Sequence, residues 1–160
     1  MMAKAAKPIP EGFHSITPHL IVRNAAQAID FYTKAFVAQE LSRMPGPDGK
    51  LLHAEIKIGD SILMLCDEFP QWNTLGPQSL GASTVGIHIY VQDADALFTQ
   101  AVTAEATVKM PIEDTFWGDR FGKVTDPFGH EWSIATRKRD LTPEELHKGA
   151  QDYFSSAAGG

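Results

Sequence analysis

Apolar and polar positions along the chain form two matching series. In the first, residues 17–22 place Leu20 and Val22 on one face and Thr17, His19 and Ile21 on the other, which predicts a strand. Asn24 then offers a helix cap with Gln27 at the third helical position, as in a capping box. Ala25, Ala28, Ile29, Tyr32 and Phe36 follow at helical spacing, predicting an amphipathic helix to about Phe36. Residues 39–44 read as a second strand, closed by the turn Pro45-Gly46-Pro47-Asp48-Gly49. In the next strand Leu52, Ala54, Ile56 and Ile58 alternate with His53, Glu55 and Lys57. Beyond Gly59-Asp60, residues 61–66 are apolar throughout and predict a central strand. The order is βαβββ.

Residues 67–83 hold two prolines, two glycines and Trp72 without periodicity and read as a linker. The pattern then restarts. Val85, Ile87, Ile89 and Val91 alternate with Gly86, His88 and Tyr90, and Asp93 caps a helix carrying Ala94, Leu97, Phe98, Ala101 and Val102. A short strand at 107–110, a loop with Phe116 and Trp117, and strands near 120–125 and 131–136 complete a second βαβββ series. His88 minus His19, Val91 minus Val22 and Asp93 minus Asn24 all equal 69, whereas Phe98 minus Tyr32 and Ala101 minus Ala35 equal 66. These spacings predict a tandem repeat whose helices match after a three-residue shift. Thr142-Pro143-Glu144-Glu145 starts a final helix to about Phe154, with Glu145 closing a capping box and a frayed SSAAGG end.

The predicted fold class is α+β: two βαβββ modules, 15–66 and 84–137, joined by linker 67–83, with a flexible leader at 1–14 and a helical tail at 141–160. With 160 residues, 43% of them hydrophobic, the chain has enough apolar material for one domain-sized core. A net charge of −6 and no basic block longer than Arg137-Lys138-Arg139 argue against nucleic acid or an anionic membrane as partner. The leader lacks the apolar stretch of a signal peptide, and no segment reads as a membrane span; a cytoplasmic protein is expected. The single cysteine, Cys66, reads as strand packing.

Each unit has a helix for one sheet face only. The other face, bearing His19, His53, Glu55, Met64, His88, Tyr90 and Glu131, must meet something else, and two curved sheets facing each other would make a ligand cleft. Phe116 and Trp117 are candidates to stack on a flat ligand, and Arg120 to clamp an anionic group. The alternative is that Arg120 pairs with Asp119 to hold the loop while Trp117 closes the core edge. His53 and Glu55 share a strand face and are candidate acid and base groups. Trp132, on the helix side of its strand, reads as core, and His130 as a hydrogen-bonding residue of the turn beside it.

The paired βαβββ pattern, the helix AAQAIDFYTKAF and above all DTFWGDRFGKVTDPFGHEWSIAT resemble the vicinal oxygen chelate superfamily over residues 15–140, with the PhnB-like branch the nearest likeness. That superfamily includes glyoxalase I, bleomycin-resistance proteins, fosfomycin-resistance enzymes and extradiol dioxygenases, so the resemblance implies the fold more sharply than the chemistry. Its metal enzymes take one ligand from each of four strands. Carried over, those positions fall on Thr17, about Met64, Gly86 and Ser133, none of them a convincing ligand for a divalent ion. Two residues away lie His19, His88 and Glu131, which would make a three-ligand Fe(II), Mn(II) or Zn(II) set if the strand of Glu131 ran antiparallel to the other two.

Three functions follow as expectations. The first is a bleomycin-resistance-like protein that sequesters a small aromatic or oxygen-rich molecule. The second is a metal-dependent lyase, isomerase or dioxygenase acting on vicinal oxygens. The third is a protein-interaction module. A homodimer paired through exposed sheet edges is expected in addition.

Overall fold

The computed structural model describes residues 3–4 and 6–159. Parts of the predicted leader and the last glycine of the predicted tail lie outside the described residues. The chain divides into two units, 1–82 and 83–160, each built on one four-stranded sheet.

In the first unit β1 (His19–Val22) leads into α1 (Ala25–Phe36), then β2 (Gln39–Pro45), β3 (Leu51–Ile58) and β4 (Ser61–Asp67). The strands lie in the order β1-β4-β3-β2, with β1 parallel to β4 and the other neighbours antiparallel. The apolar strand β4 is therefore interior, as its continuous hydrophobicity predicts. Ala28, Ile29, Tyr32 and Phe36 of α1 are buried, and with Leu20, Val22, Ala54, Ile56, Leu63 and Leu65 they form the core on one side of the sheet. At the start of β3 it is Leu51, not Leu52, that is buried, because the register slips between Met44 and Pro45 and turns Leu52 outward.

The segment after β4 is more than a linker. Asp67 ends β4 with its carboxylate buried, accepting from Ala25 N at 2.9 Å and from Leu51 N at 2.7 Å. Glu68 is buried too; it accepts from Gly76 N at 2.7 Å and pairs with Arg23 at 3.1 Å. Its carboxyl is held below the ordinary value: burial pulls upward, but the bonds from Ser79, Gly76 and Arg23 outweigh it. These bonds fold the segment and its single-turn helix α2 (Pro77–Leu80) back along β1.

The second unit repeats the plan: β5 (Gly86–Tyr90), α3 (Ala94–Thr103), β6 (Thr107–Asp114), β7 (Asp119–Thr125) and β8 (Glu131–Arg137), in the order β5-β8-β7-β6. The strand predicted to end at Met110 continues to Asp114 through register shifts on either side of Met110, the second of them spanning Pro111, since an edge strand tolerates proline. Asn24 accepts from Gln27 N and Asp93 from Ala96 N, so the caps match at a spacing of 69 residues. That same spacing pairs the buried Ala25, Ile29 and Tyr32 with the buried Ala94, Phe98 and Ala101. No three-residue shift is needed; the helical period had allowed two registers, and the caps select one.

The motif DPFGHEW is a structural staple. Asp126 is buried and accepts from Phe128 N and His130 N, each at 2.9 Å, and from Trp132 Nε1 at 2.8 Å, tying the turn to a wholly buried Trp132. Gly118 in WGDR is required by its backbone: φ is +96°, and an added Cβ would stand 2.6 Å from Arg139 O. At Gly122 a Cβ would meet the Phe98 ring at 2.7 Å, so α3 packs directly on β7. The last helix, α4 (Pro143–Ala157), begins at the predicted reciprocal capping box of Thr142 and Glu145.

Candidate functional site

In each unit the helix covers one face, and alternation sends the chemistry-bearing side chains to the other. Across the first sheet His19 stands opposite Met64, and Met64 opposite Glu55. His53 lies two residues before Glu55 on the same face, with Nε2 at 3.2 Å from Glu55 Oε1. The rings of His19 and His53 stack with centroids 6.1 Å apart and planes within 12°. Burial lowers the pKa of His19, and the neighbouring His53 lowers it further. Four of the predicted residues, His19, His53, Glu55 and Met64, are thus brought together on one face.

The second unit holds the richer arrangement. His88 stands opposite Ser133, which in turn faces Lys123; Tyr90 stands opposite Ala135, and Ala135 opposite Phe121. His88 packs edge-on to Tyr90 at 4.5 Å between ring centroids and over Phe121 at 6.0 Å. Phe121 meets Trp117 at 5.2 Å, Trp117 meets Phe116 at 5.0 Å, and Phe116 meets Tyr153 of α4 at 5.5 Å. Asp119 organises this series. It is only 4% exposed, and its Oδ2 accepts from Trp117 Nε1 at 3.2 Å and from Tyr90 Oη at 3.3 Å. Desolvation and the adjacent carboxylate push the Tyr90 phenol above its ordinary pKa, which keeps its proton available for that bond. Burial lowers the pKa of His88; Asp119 opposes the shift and Lys123 adds to it.

Two candidates are engaged by partners other than those the sequence suggests. Arg120 alternates to the helix side of β7, where it binds Asp95 of α3 through Nε at 3.0 Å and Nη2 at 2.9 Å, with Asp114 at 3.5 Å. Its partner is therefore neither an open-face ligand nor Asp119. Glu131 is on the open face but forms an ion pair with Lys109. Sequence reasoning missed Asp119 and Phe121 as site residues. The signal was present: in WGDRF both alternate with Arg120, so they belong to the face Arg120 leaves.

The residues do not fit a divalent ion. Thr17, Met64, Gly86 and Ser133 offer two hydroxyls, a thioether and no side chain at all. The displaced set depended on β8 running antiparallel to β5, and it runs parallel, with Gly86 opposite Glu131 and His88 opposite Ser133. Moving two residues forward on β5 and two back on β8 therefore shifts the side chains in opposite directions. Among the described residues no group of three or more His, Cys, Asp or Glu side chains is arranged to hold a metal.

Two mixed sheets of order 1-4-3-2, each backed by one helix and repeated at a 69-residue spacing, define a tandem βαβββ fold. Residues 12–134 match the Glyoxalase/Bleomycin resistance protein/Dioxygenase superfamily, and the chain belongs to it. It is 50% identical over 135 residues to the uncharacterized protein Mb0911c of Mycobacterium bovis, covering 82% of this chain and 89% of that one. The crystal structure of PA1353 from Pseudomonas aeruginosa superposes with a TM-score of 0.64 at 25% identity, covering 79% of this chain and 100% of that one. A PhnB protein from Bacillus cereus, described as a putative 3-demethylubiquinone-9 3-methyltransferase, superposes at 0.61 with 18% identity over 77% of this chain and 99% of that one. This last likeness concerns the fold alone.

Proposed function

We propose that the protein binds a small, flat, oxygen-rich molecule on the open face of the second unit and holds it without turnover. The observation that carries this reading is Asp119. A buried carboxylate accepts from both Tyr90 and Trp117, so these rings are oriented before any ligand arrives, beside His88 and Phe121. Ordering aromatic side chains in advance removes part of the entropic cost of binding, and their faces suit stacking on a planar partner. The poor donors at Thr17, Met64, Gly86 and Ser133, with no other fitting set among the described residues, favour sequestration over the metal-dependent chemistry found in the superfamily.

The test is titration with 2-naphthol, followed by the indole N–H resonance of Trp117, with bleomycin as a second probe because the superfamily includes resistance proteins for it. Binding should move that resonance, W117A and Y90A should each weaken it about tenfold, and the probe should be recovered unchanged. An unmoved Trp117 signal, or variants that bind as the parent does, would refute the site.

One contact favours a second reading. His53 and Glu55 at 3.2 Å form an acid–base pair in which the carboxylate orients the imidazole, the arrangement of a general base. Proton abstraction by His53 would appear as hydrogen–deuterium exchange at an acidic C–H of a bound probe, lost in H53A.

A further inference from the structure

The two sheets are equivalent by duplication, yet corresponding rows across them carry opposite chemistry. His19, Met64 and Glu55 line up across the first. Their counterparts in the second are His88, Ser133 and Lys123, at spacings of 69, 69 and 68 residues. A thioether has become a hydroxyl, and a carboxylate has become an ammonium. In the first unit the carboxylate is already engaged by His53. In the second, Lys123 is half-buried and has no carboxylate partner among the described residues. Of the carboxylates near it, Glu131 is taken by Lys109, Asp119 by Tyr90 and Trp117 with Arg137 opposite it across the strands, and Glu113 stands one row away on the edge strand, opposite Phe121.

From this row we infer that the molecule bound by the second unit carries an anionic oxygen group, received by Lys123 Nζ, the Ser133 hydroxyl and an N–H of the His88 ring. The inference rests on the ligand-binding reading above and specifies its substrate class. Directly opposed residues on adjacent strands are separated by about 5 Å, so His88 and Lys123, on either side of Ser133, are about 10 Å from each other, and a lysine stem closes the gap. An incoming anion would supply Lys123 with a charge-assisted hydrogen bond. The Tyr90, Phe121 and Trp117 rings begin one row further along the same face. The ligand accordingly has an anionic head over the Lys123 row and a flat body over the aromatics.

Calorimetric titration with two probes that share a ring system tests this: 2-naphthoate, which is anionic, and 2-naphthalenemethanol, which is not. The parent protein should bind the naphthoate about tenfold more tightly. K123M should remove that preference, with a urea midpoint matching the parent's to report that the fold is intact. K148Q, an equal change of net charge on exposed α4, should retain it, and about 0.5 M salt should reduce it. Equal affinity for the two probes, or a preference that survives K123M, overturns the anionic head and leaves the aromatic site standing. Binding of neither probe overturns both.

Discussion

Asp67 and Thr136 stand 69 residues apart and do the same work, each accepting the first backbone N–H of its unit's helix. Asp67 Oδ1 receives Ala25 N at 2.9 Å, and Thr136 Oγ1 receives Ala94 N at 2.8 Å. Each then makes a second tie, Asp67 to Leu51 N and Thr136 to Val91 O. The end of the last strand of each unit thus holds the helix entry, with a carboxylate in one and a hydroxyl in the other.

The two ties differ in how much they leave unmet when lost. Replacing Asp67 by Ala strands two buried backbone donors, and the expected cost in urea unfolding is about 2–4 kcal/mol. Thr136→Val keeps the shape and strands one donor and one carbonyl in a partly buried setting, for about 1–2 kcal/mol. Equal losses in the two variants would show that the match is geometric only.

Stability should fall in mildly acidic solution. The pKa values of His19 and His88 are lowered from 6.5, chiefly by burial, so the unfolded chain takes up protons at these sites before the folded one does. Where the unfolded state binds more protons, stability rises with pH. The urea midpoint should therefore be level above about pH 7 and decline as pH drops below 6.5 toward the folded pKa values. A double H19N/H88N variant should show a shallower decline, and an unchanged slope would contradict the assignment.

Arg120 should prove structural. Because its guanidinium is engaged by Asp95 of α3 on the helix side of β7, R120A should leave binding of aromatic anions unchanged and lower the thermal midpoint slightly. Loss of binding with no change in midpoint would restore the anion-clamp reading.

Elemental analysis bears on the donor sets. Protein purified without chelator should carry less than stoichiometric iron, zinc or manganese, and H88A should not change the amount bound. One tightly held metal per chain, lost in H19A and H88A alike, would revive the metal-dependent alternative.

Most of the framework was legible because repetition multiplies weak signals. Strand alternation, helix spacing and the capping residues Asn24, Asp93 and Thr142 recur where the structure has them. What failed was local register: the bulge that buries Leu51 in place of Leu52, and the extension of β6 to Asp114. The site divides similarly. The open-face membership of His19, His53, Glu55, His88 and Tyr90 follows from period-two alternation alone. The pairing of Arg120 with α3 does not, since the choice between Asp119 and Asp95 depends on which element packs against β7.

By itself the sequence determined the repeated order of elements, the capped starts of α1, α3 and α4 and the face that most strand residues take, because these depend on spacing along the chain. Only the tertiary structure decided that β8 runs parallel to β5, that Asp119 gathers Tyr90 and Trp117, and that Ser133 stands between His88 and Lys123. Those relations join residues far apart in sequence, and pairing of strands across the sheet, which no local period encodes, is what brings them into reach.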